Sequence, residues 1–181
     1  MTRTIPQHHG FNTKAPPGWD GGKNTMTVRL TYKPVAGFPD QVRFIFEVSA
    51  NFPYSEPAND LGFEIQRDCT IIFSLDPKLN SRWSRQYYFI TGKRNYSSLY
   101  GDTQLIDDMN FSVKAKYNAS GNHNDRQQIN LNIDYGQSHD DQGHWSFVPI
   151  TIDPDVGNPR PGNGVLIDGP IEAVVIGSVS G

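Results

Sequence analysis

From Thr25 to Ile152 the chain alternates apolar and polar residues with a period of two, the pattern of a pleated strand with one face in a core and the other in water. In TMTVRLTY, Met26, Val28, Leu30 and Tyr32 alternate with Thr25, Thr27, Arg29 and Thr31. In VRFIFEVSA, Val42, Phe44, Phe46 and Val48 share a face opposite Arg43 and Glu47. A short strand LGFEI and then CTIIFSL follow, with Cys69, Ile71, Phe73 and Leu75 in phase. QYYFIT, MNFSVKAKY, QINLNIDY and WSFVPITID continue the series.

The segments between these runs are punctuated by turn residues. PVAGFPDQ and DPKLNSRW read as turns, NASGNHNDR as a hairpin connection and GQSHDDQGH as a polar loop. Residues 92–108 read as a loop or a single helical turn. No run is long enough for the helices that a βαβ crossover requires, so a parallel α/β sheet is excluded. Clean alternation favours antiparallel sheets wetted on one side. The expected fold is therefore all-β, a two-layer antiparallel β-sandwich of immunoglobulin-like or jelly-roll type. Pro149 inside the last strong strand predicts an edge or a bulge there.

Ten Phe, eight Tyr and three Trp in 181 residues argue against disorder, and 17 Gly with 13 Pro fit a chain of many turns. Three segments are expected. Residues 1–22, with HHG and APPGWDGG, form an irregular arm for which Trp19 is a candidate anchor. Residues 23–153 form the sandwich. Residues 154–181 form a Pro/Gly-rich stretch followed by an apolar strand or arm.

The net charge of −3 offers no general attraction to a phosphate backbone, which excludes extended nucleic acid as a partner. No apolar run reaches the roughly 18 residues a membrane span needs. The N-terminus has no signal-peptide core, so cytoplasmic synthesis is expected. Cys69 is the single cysteine, so the expectation is a soluble, disulfide-free domain without a Cys-rich metal site.

Catalytic motifs are missing: there is no nucleophile elbow, no phosphate-cradling glycine loop and no dinucleotide fingerprint. No cofactor is expected. The most metal-like cluster is His139, Asp140 and His144, with Asp141 beside it, weighed against a solvated hairpin loop. Asp153, Asp155 and Asn158 suggest calcium ligands but read better as a capped turn. His8 and His9 read as an exposed pair. The stretch RWSRQYYFITGKRNY is the most suggestive of ligand recognition, because it sets Arg82, Arg85, Lys93 and Arg94 among Trp83, Tyr87, Tyr88, Phe89 and Tyr96. Cations interleaved with aromatic rings stack on sugars or bases, and a sugar or mononucleotide suits the acidic chain better than a polymer does. Against this stands a plain strand with aromatics in the core.

The tail GVLIDGPIEAVVIGSVSG is apolar and almost uncharged, a segment that water does not favour unless it pairs with a sheet. Val165, Leu166, Ile167, Ile171, Val174, Val175 and Ile176 are its candidate assembly residues. On this reading the chain leans away from catalysis. It is expected to be a structural protein that self-assembles into ordered homo-oligomers through its arms, with itself as partner. The first alternative is a carbohydrate-binding module taking a glycan or small molecule through Arg82, Trp83, Arg85 and Trp145. The second is a metal-dependent enzyme using His139, Asp140 and His144.

Overall fold

The computed structural model describes residues 14–54, 60–86, 88–92, 99–117, 129–152 and 155–157; at residues 40, 92, 137–139 and 155–157 only the backbone is described. Eleven strands occur in these segments: β1 (Thr25–Val35), β2 (Phe38–Ala50), β3 (Gly62–Glu64), β4 (Cys69–Leu75), β5 (Ser81–Trp83), β6 (Ile90–Gly92), β7 (Tyr100–Leu105), β8 (Asn110–Ala115), β9 (Ile129–His139), β10 (Trp145–Ile152) and β11 (Asp155–Gly157). A single 3₁₀ turn, Pro77–Leu79, is the sole helical element among them.

Two packed sheets make the body, so the all-β sandwich is the architecture. The larger sheet has the order β2-β1-β4-β8-β7. The smaller has the order β10-β9-β5, with β6 also paired to β9. β3 and β11 form a separate two-stranded ribbon. β10 lies at an edge, where Pro149 forfeits no ladder bond on its outer side.

The alternation seen in the sequence becomes the core. Met26, Val28 and Leu30 of β1, Ile71, Phe73 and Leu75 of β4, and Phe111 and Val113 of β8 point inward from one sheet. Trp83, Ile90, Leu131, Ile133 and Ile152 are buried from the other. A chain of aromatic rings joins them: Phe46 meets Phe63, Phe63 meets Phe73, Phe73 stacks on Phe111, and Trp83 stands edge-on to Phe111 at 4.8 Å between centroids. Edge-to-face and offset geometries suit the ring quadrupole and add to the burial of area. On the wet face of the larger sheet, Arg29 and Glu47 face each other in register and form an ion pair.

Several expectations are corrected. Antiparallel pairing dominates, but β1 and β4 run parallel, as do β3 and β11. Alternation reports which way side chains face and carries no information on strand direction. The first turn is tighter than PVAGFPDQ implied, because β1 and β2 run on to Val35 and Phe38. Only Ala36 and Gly37 remain between them, with Gly37 at φ +79°. Residues 92–108 hold a strand, β7, whose irregular pairing with β8 hides its period. In QYYFIT, expected as one strand, Gln86, Tyr88 and Phe89 lie outside any strand, and Ile90 and Thr91 belong to β6. Tyr32 lies in phase with the core yet is 36 % exposed, whereas Thr31 beside it is buried on an Asp76 carboxylate oxygen, 2.8 Å away.

Trp19 closes one end of the larger sheet. Its indole Nε1 donates to the carbonyls of Cys69 and Ala115 at 3.2 and 3.1 Å, and Lys114 Nζ lies 5.0 Å from the ring. Cys69 is fully buried, and burial pushes its thiol up to about 12, with the Asp68 charge adding to the shift. It is an inert core residue.

Candidate functional site

The site begins with an interruption in an edge strand. β5 and β6 pair antiparallel with the same side of β9, in sequence: Trp83 faces Ile133 and Ile90 faces Leu131. Six positions, 84–89, of which 87 lies outside the described residues, thus separate the two ladders opposite a single residue of β9, Asn132. The surplus has no ladder partner and must arch out of the sheet, an extreme form of the bulge.

Asn132 holds both ends of that arch. Its backbone carbonyl accepts from Ser84 N and its backbone N–H donates to Phe89 O, each at 3.0 Å. Its side-chain amide donates to Tyr88 O at 2.7 Å and to Thr91 Oγ1 at 3.3 Å, and its Oδ1 accepts from Thr151 Oγ1 at 2.8 Å. The residue is 6 % exposed, so these bonds are largely shielded from water. Ser84 at the foot of the arch is buried, whereas Arg85, Gln86 and Tyr88 are exposed. Tyr88 sits at φ +56°. That left-handed conformation is uncommon for a bulky side chain and persists only where the surroundings impose it.

Beside the arch, the outer face of the β5-β9-β10 sheet carries an aromatic and cationic row. Arg82 Nε donates to Asp134 Oδ2 at 3.2 Å, and the guanidinium lies 4.1 Å from the centre of the Phe147 ring. Phe147 is opposite Gly136, after a register shift between Ser146 and Phe147. The Trp145 indole rests against Gly136, where a Cβ atom would lie 3.0 Å from its Cε3 and 2.6 Å from the Asn80 carbonyl. Glycine is what lets the indole approach the backbone. Trp145 remains 43 % exposed.

Arg85 pairs with Asp108 at 2.9 Å, with the two side chains 70 % and 59 % exposed. An exposed pair of this kind is worth about 0–1 kcal/mol, so an incoming anion can recruit the guanidinium at small cost.

The structure separates the residues named from sequence. Arg82 and Trp145 share the outer face, and Arg85 stands on the arch. Trp83 is corrected: it is 1 % exposed, with its indole donating to Met109 O at 2.9 Å, and has no face to offer a ligand. Lys93, Arg94, Tyr96 and Tyr87 lie outside the described residues. So do His8, His9, Asp153, Asn158 and the tail residues Val165, Leu166, Ile167, Ile171, Val174, Val175 and Ile176; at Asp155 the backbone pairs with Gly62.

Of the three residues named for a metal, Asp140 and His144 meet in a turn. Asp140 Oδ1 accepts from Gln142 N and His144 N at 2.9 and 2.8 Å, and its Oδ2 lies 3.1 Å from His144 Nδ1. The backbone bond from His144 leads in holding the Asp140 carboxyl below its usual range. His139 is described by backbone alone, paired with Trp145. Among the described residues no group of three or more His, Cys, Asp or Glu side chains is placed to hold a metal ion, and no helix is long and apolar enough to cross a membrane.

Sequence reasoning missed Asn132 and Phe147. Asn132 reads there as one more polar residue of an alternating strand, and Phe147 lies out of phase with Val148, Ile150 and Ile152 and draws no role.

The fold and the face define the class: a β-sandwich domain presenting arginine and aromatic side chains on the outer surface of its smaller sheet. The chain belongs to the family described as a predicted novel nucleotide synthetase, whose profile matches residues 12–161. No curated protein matches the chain. The family membership overturns the expectation of a non-catalytic, self-assembling structural protein and points to an enzymatic role in nucleotide synthesis instead. The misleading signal was the apolar tail, which lies beyond the matched segment.

Proposed function

We propose that this protein is an enzyme that makes a nucleotide product from nucleoside phosphates, and that it binds them on the outer face of the β5-β9-β10 sheet. The observation that carries the reading is membership of the nucleotide synthetase family across residues 12–161.

The chemistry of the face supports that location. A nucleotide asks for an apolar flat surface for its base and for cationic donors at its phosphates. Trp145 and Phe147 supply exposed or half-exposed rings, and Arg82 and Arg85 supply planar guanidinium donors. Arg82 is already oriented, being held between Asp134 and the Phe147 ring, so little side-chain entropy is lost when it meets a ligand. The overall acidity disfavours a polymer and leaves a mononucleotide acceptable.

The test is direct. The protein is incubated with ATP, GTP, CTP and UTP, singly and in pairs, with magnesium, and the mixture is resolved by liquid chromatography and mass spectrometry. A new nucleotide that depends on active protein is the expected result, together with weaker substrate binding in Arg82→Ala and Trp145→Ala. Absence of both binding and product across the panel would sink the assignment.

A further inference from the structure

We infer that the arch, through its described residues Ser84, Arg85, Gln86, Tyr88 and Phe89, reads the phosphate end of the nucleotide, and that Asn132 is the positioning residue that holds it in place. This rests on the nucleotide reading above and assigns a polarity to it.

The arch is costly as plain architecture. A continuous edge strand would need one residue opposite Asn132, and the chain spends six. The surplus exposes Arg85, Gln86 and Tyr88, and it places Tyr88 in a left-handed conformation. Strain of this sort is retained where the surroundings over-determine it, and Asn132 does so with bonds to Ser84, Tyr88, Phe89 and Thr91. The result is a loop held at its base with its polar side chains facing out. Pre-ordering matters because each long side chain immobilised on binding subtracts from affinity.

Polarity follows from the strand. Gly136, under Trp145, and Asn132, under the arch, are four residues apart on β9, roughly 13 Å at the strand rise. Arg82 lies between them, in register with Asp134, and Phe147 stands opposite Gly136 with its ring against the Arg82 guanidinium. An extended nucleoside triphosphate suits such a row, with base on the indole and phosphates towards the arch. Arg82 is committed to a carboxylate that is 15 % exposed. Arg85 is the more solvated guanidinium and its carboxylate partner is exposed, so it exchanges that partner for a phosphate more easily. Asn132 is beneath the arch, too buried to touch the ligand.

The experiment compares nucleosides with their triphosphates by calorimetry, in the intact protein and in three variants. Arg85→Ala changes an exposed side chain and leaves the fold alone. Deletion of residues 85–89 leaves Ser84 opposite Asn132 and restores a regular edge strand. Asn132→Ala removes the side-chain bonds to Tyr88 and Thr91, keeps the backbone bonds to Ser84 and Phe89, and so loosens the arch without shortening it. In all three, triphosphate affinity is expected to fall by about tenfold or more, since a charge-assisted contact is at stake, while nucleoside affinity stays within about twofold. A merely structural role for Asn132 would weaken both ligands alike, and that result overturns its positioning role. Triphosphate binding unchanged in Arg85→Ala and in the deletion overturns the arch proposal while leaving the nucleotide reading intact. An intact protein that binds no nucleotide removes both.

Discussion

The side-chain amide of Asn132 donates to the backbone carbonyl of Tyr88 at 2.7 Å, across 44 positions of sequence, and through that bond a strand residue governs the shape of a surface loop. Ladder pairing stops at Trp83 and resumes at Ile90, and Asn132 supplies the bonds that the ladder cannot. A buried asparagine in a strand would otherwise be a liability, because each unpaired polar group costs about 1–3 kcal/mol. Here its amide nitrogen and oxygen are both satisfied, and the same bonds set out Arg85 and Tyr88.

The two tryptophans of the flagged stretch and its neighbouring strand should behave as opposites. Trp83→Ala removes a buried ring from contact with Phe111 and is expected to cost about 3–5 kcal/mol. Trp145→Ala removes a 43 % exposed ring and should stay within about 1 kcal/mol, yet weaken nucleotide binding. Urea denaturation with calorimetric binding on the same samples separates the two effects.

Gly136→Ala should destabilise the smaller sheet. The new methyl would come within 2.6 Å of the Asn80 carbonyl, which is backbone and accepts the Gly136 N–H bond. Overpacking of this kind costs about 1–3 kcal/mol, and the indole must also lift from the sheet. A lowered melting temperature with a shifted Trp145 emission is the expected pair of readouts, and an unchanged emission would contradict the close packing.

Acid should weaken the fold in part through Asp76. The backbone N–H of Lys78 and the hydroxyl of Thr31 hold its carboxyl below the usual range. A carboxyl with a depressed native pKa adds stability that is fully present above the unfolded value, about 3.9, and is lost as pH falls through the folded value. Asp76→Asn should therefore lower stability at neutral pH and flatten its decline below about pH 4. Denaturant midpoints taken between pH 2 and 7 for both proteins check the slope.

Cys69 should resist thiol reagents in the native protein. Its thiol is pushed up to about 12, so almost no thiolate forms at pH 8, and the residue is sealed beneath the sheet end that Trp19 covers. Reaction with an aromatic disulfide reagent is expected only on unfolding. Rapid labelling without denaturant would show that this end of the sandwich opens.

The runs at 25–32 and Cys69–Leu75 were legible because a half-buried strand repeats its environment every second residue, and the burial of Val28 and Phe73 follows from that alone. The arch was legible only as composition. QYYFIT carries aromatic and β-branched residues of strand type, yet bonds to Asn132 and the packing of Phe89 on Phe111 hold Tyr88 and Phe89 outside the ladder. Arg82 and Trp145 were named from residue type, and Trp83 was named on the same grounds although it faces the core.

The sequence by itself determined an all-β chain, the faces of most strands and the absence of any disulfide within it. These depend on neighbours one or two residues away and on a count of cysteines. Only the tertiary structure decided that β1 and β4 run parallel, that β5 and β6 share one side of β9, and that Asn132 lies beneath Tyr88. Such pairings join residues some 45 positions apart, and hydrophobic period carries no label for the partner across the gap.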